Sequence, residues 1–408
     1  MKPDYRTLKL ACYTTNISMA VTGNISPLLF LTFRSLYGIS YSLIGLLVLI
    51  NFCTQLGVDL IFSLFSHKFN IKKSIRFMPV LTFSGLLIFA LWPLLSPSTA
   101  YVGLVVGTII FAASSGLCEV LTSPVIAAIP SDDPDREMSK LHSVYAWGVV
   151  PVIIISTLFL LFAKPENWHW LVFGFTIIPL TSAILFARSD IPEIKKPEKT
   201  SGALRFLKNK GVWFCVAIIF LGGAAECTMA QWASSYLEEG LRLPKVWGDV
   251  LGVALFSLML GLGRTLYAKS GKNIVRILIL GSAGAALCYL IAAVSPFPLI
   301  GLLACAMTGL GVSMLWPGSL IIAADRFPES GVLIYAMMAA GGDLGASVAP
   351  QLIGIVTDLA IDVPYIANVA NEMGLAPEQL GMRIGMLIGM LFPLGATILL
   401  SRIAKNKN

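Results

Sequence analysis

Long apolar runs, interrupted only by short charged or turn-rich breaks, fill this sequence from end to end. A helix that crosses a bilayer needs roughly 20 apolar residues, because backbone polar groups in hydrocarbon must be satisfied within the protein. Setting runs against breaks predicts twelve such helices, near 8–36, 40–65, 75–95, 100–129, 139–163, 168–187, 208–238, 245–268, 273–294, 297–324, 331–358 and 380–402. Twelve segments in 408 residues leave about 34 each, enough for a helix and a short loop but not for a large soluble domain. Only 12 % of the residues are charged, against about 25 % in soluble domains, and the mean hydropathy is +0.82. Disordered, collagenous and disulfide-stapled chains are excluded, and an all-α membrane protein is expected.

Lys and Arg set the orientation, since cytoplasmic loops carry their excess. With the N-terminus inside, the inner segments 1–9, 66–76, 130–140, 188–210, 264–276, 325–329 and 402–408 hold 24 of the 29 basic residues. The outer side keeps Arg34, Lys164, Arg242, Lys245 and Arg383. The net charge of +7 is thereby a topology signal, and no nucleic-acid partner is needed to explain it. Both termini are expected in the cytoplasm of a multi-pass protein of a bacterial inner or plasma membrane. The start, MKPDYRTLKLACYTTN, lacks the compact apolar core and cleavage site of a signal peptide and reads as a retained end. Cys12, Cys53, Cys118, Cys215, Cys227, Cys288 and Cys305 fall at scattered spacing in apolar stretches, as buried small hydrophobes would.

A faint internal repeat divides the chain. Shifted by 193 residues, GLCEVLTSP (116–124) falls on GLGVSMLWP (309–317), and the window 116–148 holds seven identities in 33. The charged loop SDIPEIKKPEKTSGALRFLKNK (189–210) follows six helices and reads as a cytoplasmic linker. The expected organisation is an N-terminal bundle over 1–188, a linker over 189–207 and a C-terminal bundle over 208–408, two pseudo-symmetric six-helix halves as in major facilitator transporters. The outer loop 359–379 is expected to carry a short surface helix.

Acids inside spanning segments are costly and mark function by default. Asp59, Glu119, Glu226 and Asp343 qualify, whereas Asp325 and Arg264 lie near enough to helix ends to snorkel to the interface. Glu119 is followed by Thr122 and Ser123 on its own helix face, and Pro124 frees a carbonyl one turn earlier. That set suits sugar hydroxyls or a proton; the ordinary reading is a neutral Glu hydrogen-bonded across a helix interface. Asp59 ends a polar stripe of Asn51, Thr54 and Gln55 that cannot face lipid, so it lines a cavity or packs against another helix. Around Glu226, Thr228, Gln231 and Trp232 share a face from which Glu226 itself points about 200° away. Either the helix is distorted, helped by Gly222 and Gly223, or Glu226 has a separate task. Trp232 could stack on a sugar ring. Asp343, set among Gly341, Gly342 and Gly345, suits a structural or gating contact. Asn24, His142, Tyr145 and Trp316 complete the candidates for substrate contact.

GLCEVLTSPVIAAIP followed by MSKLHSVYAWG is similar to the fucose–proton symporter family of the major facilitator superfamily, and the superfamily resemblance covers essentially the whole chain. The resemblance implies that Glu119 is the helix 4 acid of sugar binding and proton coupling, and ECTMAQWASSYL is similar to that family's acid-then-Trp pattern. Two departures stand out. The family's helix 1 acid has no counterpart in TGNISPLL, which offers Asn24 and Ser26, so that Asp59 or Glu226 would have to substitute. The superfamily's helix 2–3 loop reads SHKFNIKK, keeping basic Lys68, Lys72 and Lys73 for an inner gate but not the acid.

These readings converge on a secondary transporter of a small neutral polar solute, a monosaccharide, moved by alternating access and coupled to protons. Glu119, Gln231, Trp232, Asn24, His142, Tyr145, Thr122, Gln55 and Trp316 would contact substrate, Glu119, Glu226 and Asp59 would carry protons, and Asp343, Lys68 and Lys72 would gate. The absence of a mid-membrane Lys or Arg argues for a neutral cargo. The alternative is a proton-coupled antiporter of drugs or lipophilic cations, with the same acids attracting the cation. An enzyme is not expected: there are three His, and no nucleophile elbow, zinc-protease or phosphate-loop motif. Neither cofactor nor metal is expected, and the partners would be the solute, protons and the bilayer, with the chain a monomer.

Overall fold

The computed structural model describes residues 5–65, 68–130, 134–192, 209–270, 273–327 and 332–405, and none of them lies in a strand. Helix α1 (Arg6–Leu28) bends by 49° into α2 (Phe30–Tyr37). There follow α3 (Tyr41–Phe65), α4 (Ile71–Leu95), α5 (Ala100–Ala127), α6 (Pro134–Ala163), α7 (Trp168–Phe175) and α8 (Ile177–Ala187). The rest of the chain builds α9 (Lys210–Ser235), α10 (Lys245–Trp247), α11 (Leu255–Ser270), α12 (Ile274–Val294), α13 (Pro298–Val312), α14 (Leu315–Arg326), α15 (Val332–Asp362), α16 (Pro364–Glu372) and α17 (Pro377–Lys405).

Among the described residues ten stretches are long and apolar enough to cross a bilayer alone, and the bent α1–α2 pair makes an eleventh. The predicted segment 139–163 falls on α6, whose apolar run among the described residues is Trp147–Ala163. Each of the twelve predicted segments is therefore helical, and α16 lies in the predicted outer loop. Three helices start on an asparagine whose side chain accepts a backbone N–H: Asn70 from Lys73, Asn209 from Gly211 and Asn273 from Arg276. Such caps satisfy donors that the first turn leaves free.

The chain divides into two compact units, residues 1–37 with 50–200 and residues 38–49 with 201–408. Most of the predicted linker, from 193 on, lies outside the described residues. In the first unit α1 packs on α6 and α8, and α4 on α5. A Cβ at Gly85 would stand 2.6 Å from the backbone nitrogen of Phe111, so α4 and α5 touch backbone to backbone only because glycine is there. Hydroxyl pairs tie buried faces of neighbouring helices: Thr82 with Ser114 at 2.7 Å, Thr22 with Ser115 at 3.1 Å, and Thr15 with Ser182 at 2.5 Å.

In the second unit α9 packs on α15, and α12 on α17 and α13. Tyr289 Oη donates to the carbonyl of Ala225 at 2.7 Å and Tyr236 Oη to that of Ala292 at 2.5 Å. Helix α9 runs regularly through Gly222 and Gly223, where a distortion was one expectation. Those glycines instead admit close neighbours, Gly223 meeting the carbonyl of Gly342 on α15. The widened π turns come later, at Tyr236–Gly240 and Gly248–Ala254. Of the seven cysteines only Cys12, Cys118, Cys215 and Cys305 are buried; Cys53 is exposed, and Cys227 and Cys288 are half-buried. A thiol tolerates either setting.

Candidate functional site

In the first unit, α3 and α5 bring Asp59 and Glu119 together, with carboxylate oxygens within 4.8 Å of each other. Gly116, one turn before Glu119, makes the approach possible. A Cβ there would stand 3.0 Å from the carbonyl of Gln55 and 3.1 Å from Asp59 Oδ1. Among the described residues Asp59 Oδ1 is buried with no hydrogen-bond partner, whereas Glu119 is exposed at the surface of its unit. Two acids 60 positions apart in sequence thus stand within reach of each other's charge, and a proton on either would relieve the repulsion.

The neighbours expected around Glu119 are arranged differently from the sequence reading. Thr122 is buried and donates to the carbonyl of Cys118, its own helix, at 2.7 Å. Asn24 likewise donates to Ala20 O at 2.8 Å, leaving its side-chain oxygen as the group on offer. Tyr145 is half-buried, its hydroxyl 3.5 Å from where a Cβ on Gly23 would sit, so α6 reaches α1 beside Asn24. Gln55 is buried one turn from Asp59. The side chain of His142 lies outside the described residues. Lys68 is exposed, its ammonium 5.1 Å from the centre of the Phe65 ring, and Lys72 is exposed in the first turn of α4. Nearby, Glu137 on α6 pairs with Lys9 at 2.7 Å and Lys140 at 2.8 Å, and Lys140 first and then Lys9 hold its carboxyl down at about 2.

In the second unit Glu226 faces Arg264 of α11 at 3.3 Å. Arg264 Nε also donates to the carbonyl of Ser313 at 3.1 Å. Arg264 stands three residues from the end of its span, and a carboxylate and a carbonyl of its own unit hold its side chain. The signal was present in the sequence. Leu258, Leu262 and Leu266 form an exposed stripe on α11, and Arg264 sits two residues from the latter two, about 200° round the helix. Glu226 pointing away from Thr228 needs no bend in α9, because that direction leads to Arg264.

Trp232 is fully buried, its indole N–H donating to Pro350 O at 2.9 Å. In this arrangement it presents no face for stacking on a sugar, a correction to the sequence reading; an indole placed in a core uses its ring for packing and its N–H for a carbonyl. Gln231 is buried beside it, and among the described residues Thr228 Oγ1 is buried without a partner. The Trp316 ring lies over Gly342 and against Gly223, a packing role in this structure. Asp343 is buried on α15, where its carbonyl accepts from Ser347 Oγ at 2.5 Å.

A family profile described as Major Facilitator Superfamily matches residues 11–350. No curated protein matches the sequence. Among solved structures, a bacterial homologue of the human lysosomal transporter Spinster, inward-facing and occupied, is similar at 12 % identity and TM-score 0.74, over 99 % of this chain and 98 % of that one. A D-xylose–proton symporter is similar at 14 % identity and TM-score 0.71, over 95 % and 96 %. The fucose–proton symporter of E. coli is similar at 16 % identity and TM-score 0.57, over 96 % and 99 %. At such identities the likeness is one of fold, and it does not single out the fucose symporter.

Proposed function

The chain belongs to the Major Facilitator Superfamily, and on that premise we propose that this transporter moves a small neutral polyol, a monosaccharide, together with a proton. The observation that carries the reading is the Asp59–Glu119 pair, with its oxygens within 4.8 Å. Two carboxylates so close repel unless a proton or another cation sits with them. Intramembrane acids of this kind are the usual elements of proton relays in transporters. In the second unit the charge of Arg264 is matched by Glu226, so the ion pair adds no net charge to draw an anionic cargo. Protonating Glu226 would strand that guanidinium, which favours Asp59 and Glu119 as the proton carriers. Rocking of the two six-helix halves about a midplane site would give alternating access. Two of the fold neighbours are proton symporters of xylose and fucose, a support that rests on fold alone.

The test is uptake by proteoliposomes of purified protein, with an imposed inside-alkaline pH step and radiolabelled L-fucose or D-xylose. Accumulation above equilibrium for either sugar supports the reading. Expulsion of ethidium driven by the opposite gradient, with no sugar uptake, would replace it by an antiporter of lipophilic cations.

A further inference from the structure

The ion pair between α9 and α11 has the features of a binding element beyond those of a brace. Helix α11 shows which way lipid lies. Leu258, Leu262 and Leu266 are exposed along one stripe, as a lipid-facing side requires. Arg264 stands on the opposite side, about 200° from Leu262, and yet its side chain is 43 % accessible. Arg264 lies three residues from the end of its span, Lys245–Tyr267, and an arginine exposed on the side turned away from lipid meets water or a polar ligand, because facing hydrocarbon would be prohibitively costly. Gly261, one turn earlier on that side, leaves open space where a Cβ would sit.

The donors of Arg264 are only partly used. Nε is committed to Ser313 O at 3.1 Å, and Nη2 to the two oxygens of Glu226 at 3.3 and 3.5 Å. Among the described residues Nη1 makes no hydrogen bond, which leaves two N–H groups on the exposed part of the fork. The Glu226 oxygens, each receiving one long bond, keep lone pairs free. A donor and an acceptor therefore stand side by side, fixed by an ion pair that need not open for a ligand to engage it.

Resting on the polyol reading above, we propose that Arg264 Nη1 and the Glu226 carboxylate form a two-point grip on adjacent hydroxyls of a neutral polyol. One hydroxyl oxygen accepts from Nη1 while its neighbour donates to Glu226. A carboxylate or phosphate ligand would instead compete with Glu226 for the guanidinium, and a lone cation would compete with Arg264 for the carboxylate. An uncharged diol meets neither conflict.

The full-length purified protein is titrated calorimetrically with L-fucose and with D-xylose, and its melting temperature is followed in parallel. Arg264→Lys keeps the charge opposite Glu226 but removes the second nitrogen of the fork. Its melting temperature should stay within about 2 °C of wild type while affinity falls at least tenfold. Reversing the pair, Glu226→Arg with Arg264→Glu, should recover melting temperature relative to Arg264→Gln alone but not affinity, because the groups then approach the ligand from exchanged helices. Wild-type affinity in Arg264→Lys, or affinity restored along with stability by the reversal, would reduce the pair to a brace and overturn the proposal. If wild-type protein binds neither sugar while it does bind ethidium, the polyol reading fails first and this assignment falls with it.

Discussion

Replacing Glu119 by Gln removes one of two carboxyl groups whose oxygens lie within 4.8 Å. At that separation and an effective dielectric constant near 20, the repulsion of two full charges is at least about 3.5 kcal/mol. That is a factor of a few hundred against the doubly ionised pair. On the proposed reading the wild-type pair holds a proton in one of its states and releases it when the surroundings change. In Glu119→Gln the repulsion is gone, and Asp59 has no reason to alternate. The assay is a pair of measurements on one proteoliposome preparation, uptake against a one-unit pH step and exchange with unlabelled sugar inside. One proton per sugar sustains up to about tenfold accumulation per pH unit. Wild type should approach that value, and Glu119→Gln should fall to no accumulation while exchange stays within about threefold. On the same reading Asp59→Asn should behave alike. Undiminished accumulation by Glu119→Gln would refute the coupling argument, and loss of exchange as well would move Glu119 to substrate contact.

Other substitutions test the packing beneath this site. Trp232→Phe removes the indole N–H from Pro350 O in a fully buried setting, and should cost about 1–3 kcal/mol, against about 3–5 kcal/mol for Trp232→Ala; thermal unfolding in detergent reads both. Gly85→Ala should lower the melting temperature by several degrees, because its Cβ would stand 2.6 Å from a backbone nitrogen that cannot move aside. Glu137→Gln should lower it by no more than about 2 °C at neutral pH, as partly exposed ion pairs are worth up to about 1 kcal/mol. Since the folded carboxyl of Glu137 is held at about 2, below its ordinary value of 4.5, the stability it supplies is complete above pH 4.5 and is lost as pH falls towards 2. A melting difference between Glu137→Gln and wild type that persists unchanged at pH 2.5 would contradict that account.

Much of the candidate site was legible as residues but not as pairs. Asp59, Glu119 and Glu226 stood out because a charge in an apolar run is rare enough to need a reason. What the run could not reveal was company. Asp59 meets Glu119 across α3 and α5, and Glu226 meets Arg264 38 positions on. Trp232 shows the opposite failure: an amphipathic ring beside a polar Gln reads equally well as a ligand platform or as core, and only burial separates the two.

The sequence by itself determined the all-α character, the number and places of the apolar helices and the excess of basic residues on one set of loops. These follow from local rules: a bilayer demands about 20 apolar residues in a span, and each helix satisfies its own backbone. Tertiary structure alone decided how each helix is rotated about its axis. That rotation is set by where glycines such as Gly85, Gly116 and Gly223 let backbones meet, and by which hydroxyls and aromatic groups find partners on other helices. Pairing of charges depends on rotation, because a shift of one residue turns a side chain by 100° and sends it to a different neighbour. The chain therefore announced which residues are costly to bury, and the packing chose what each of them faces.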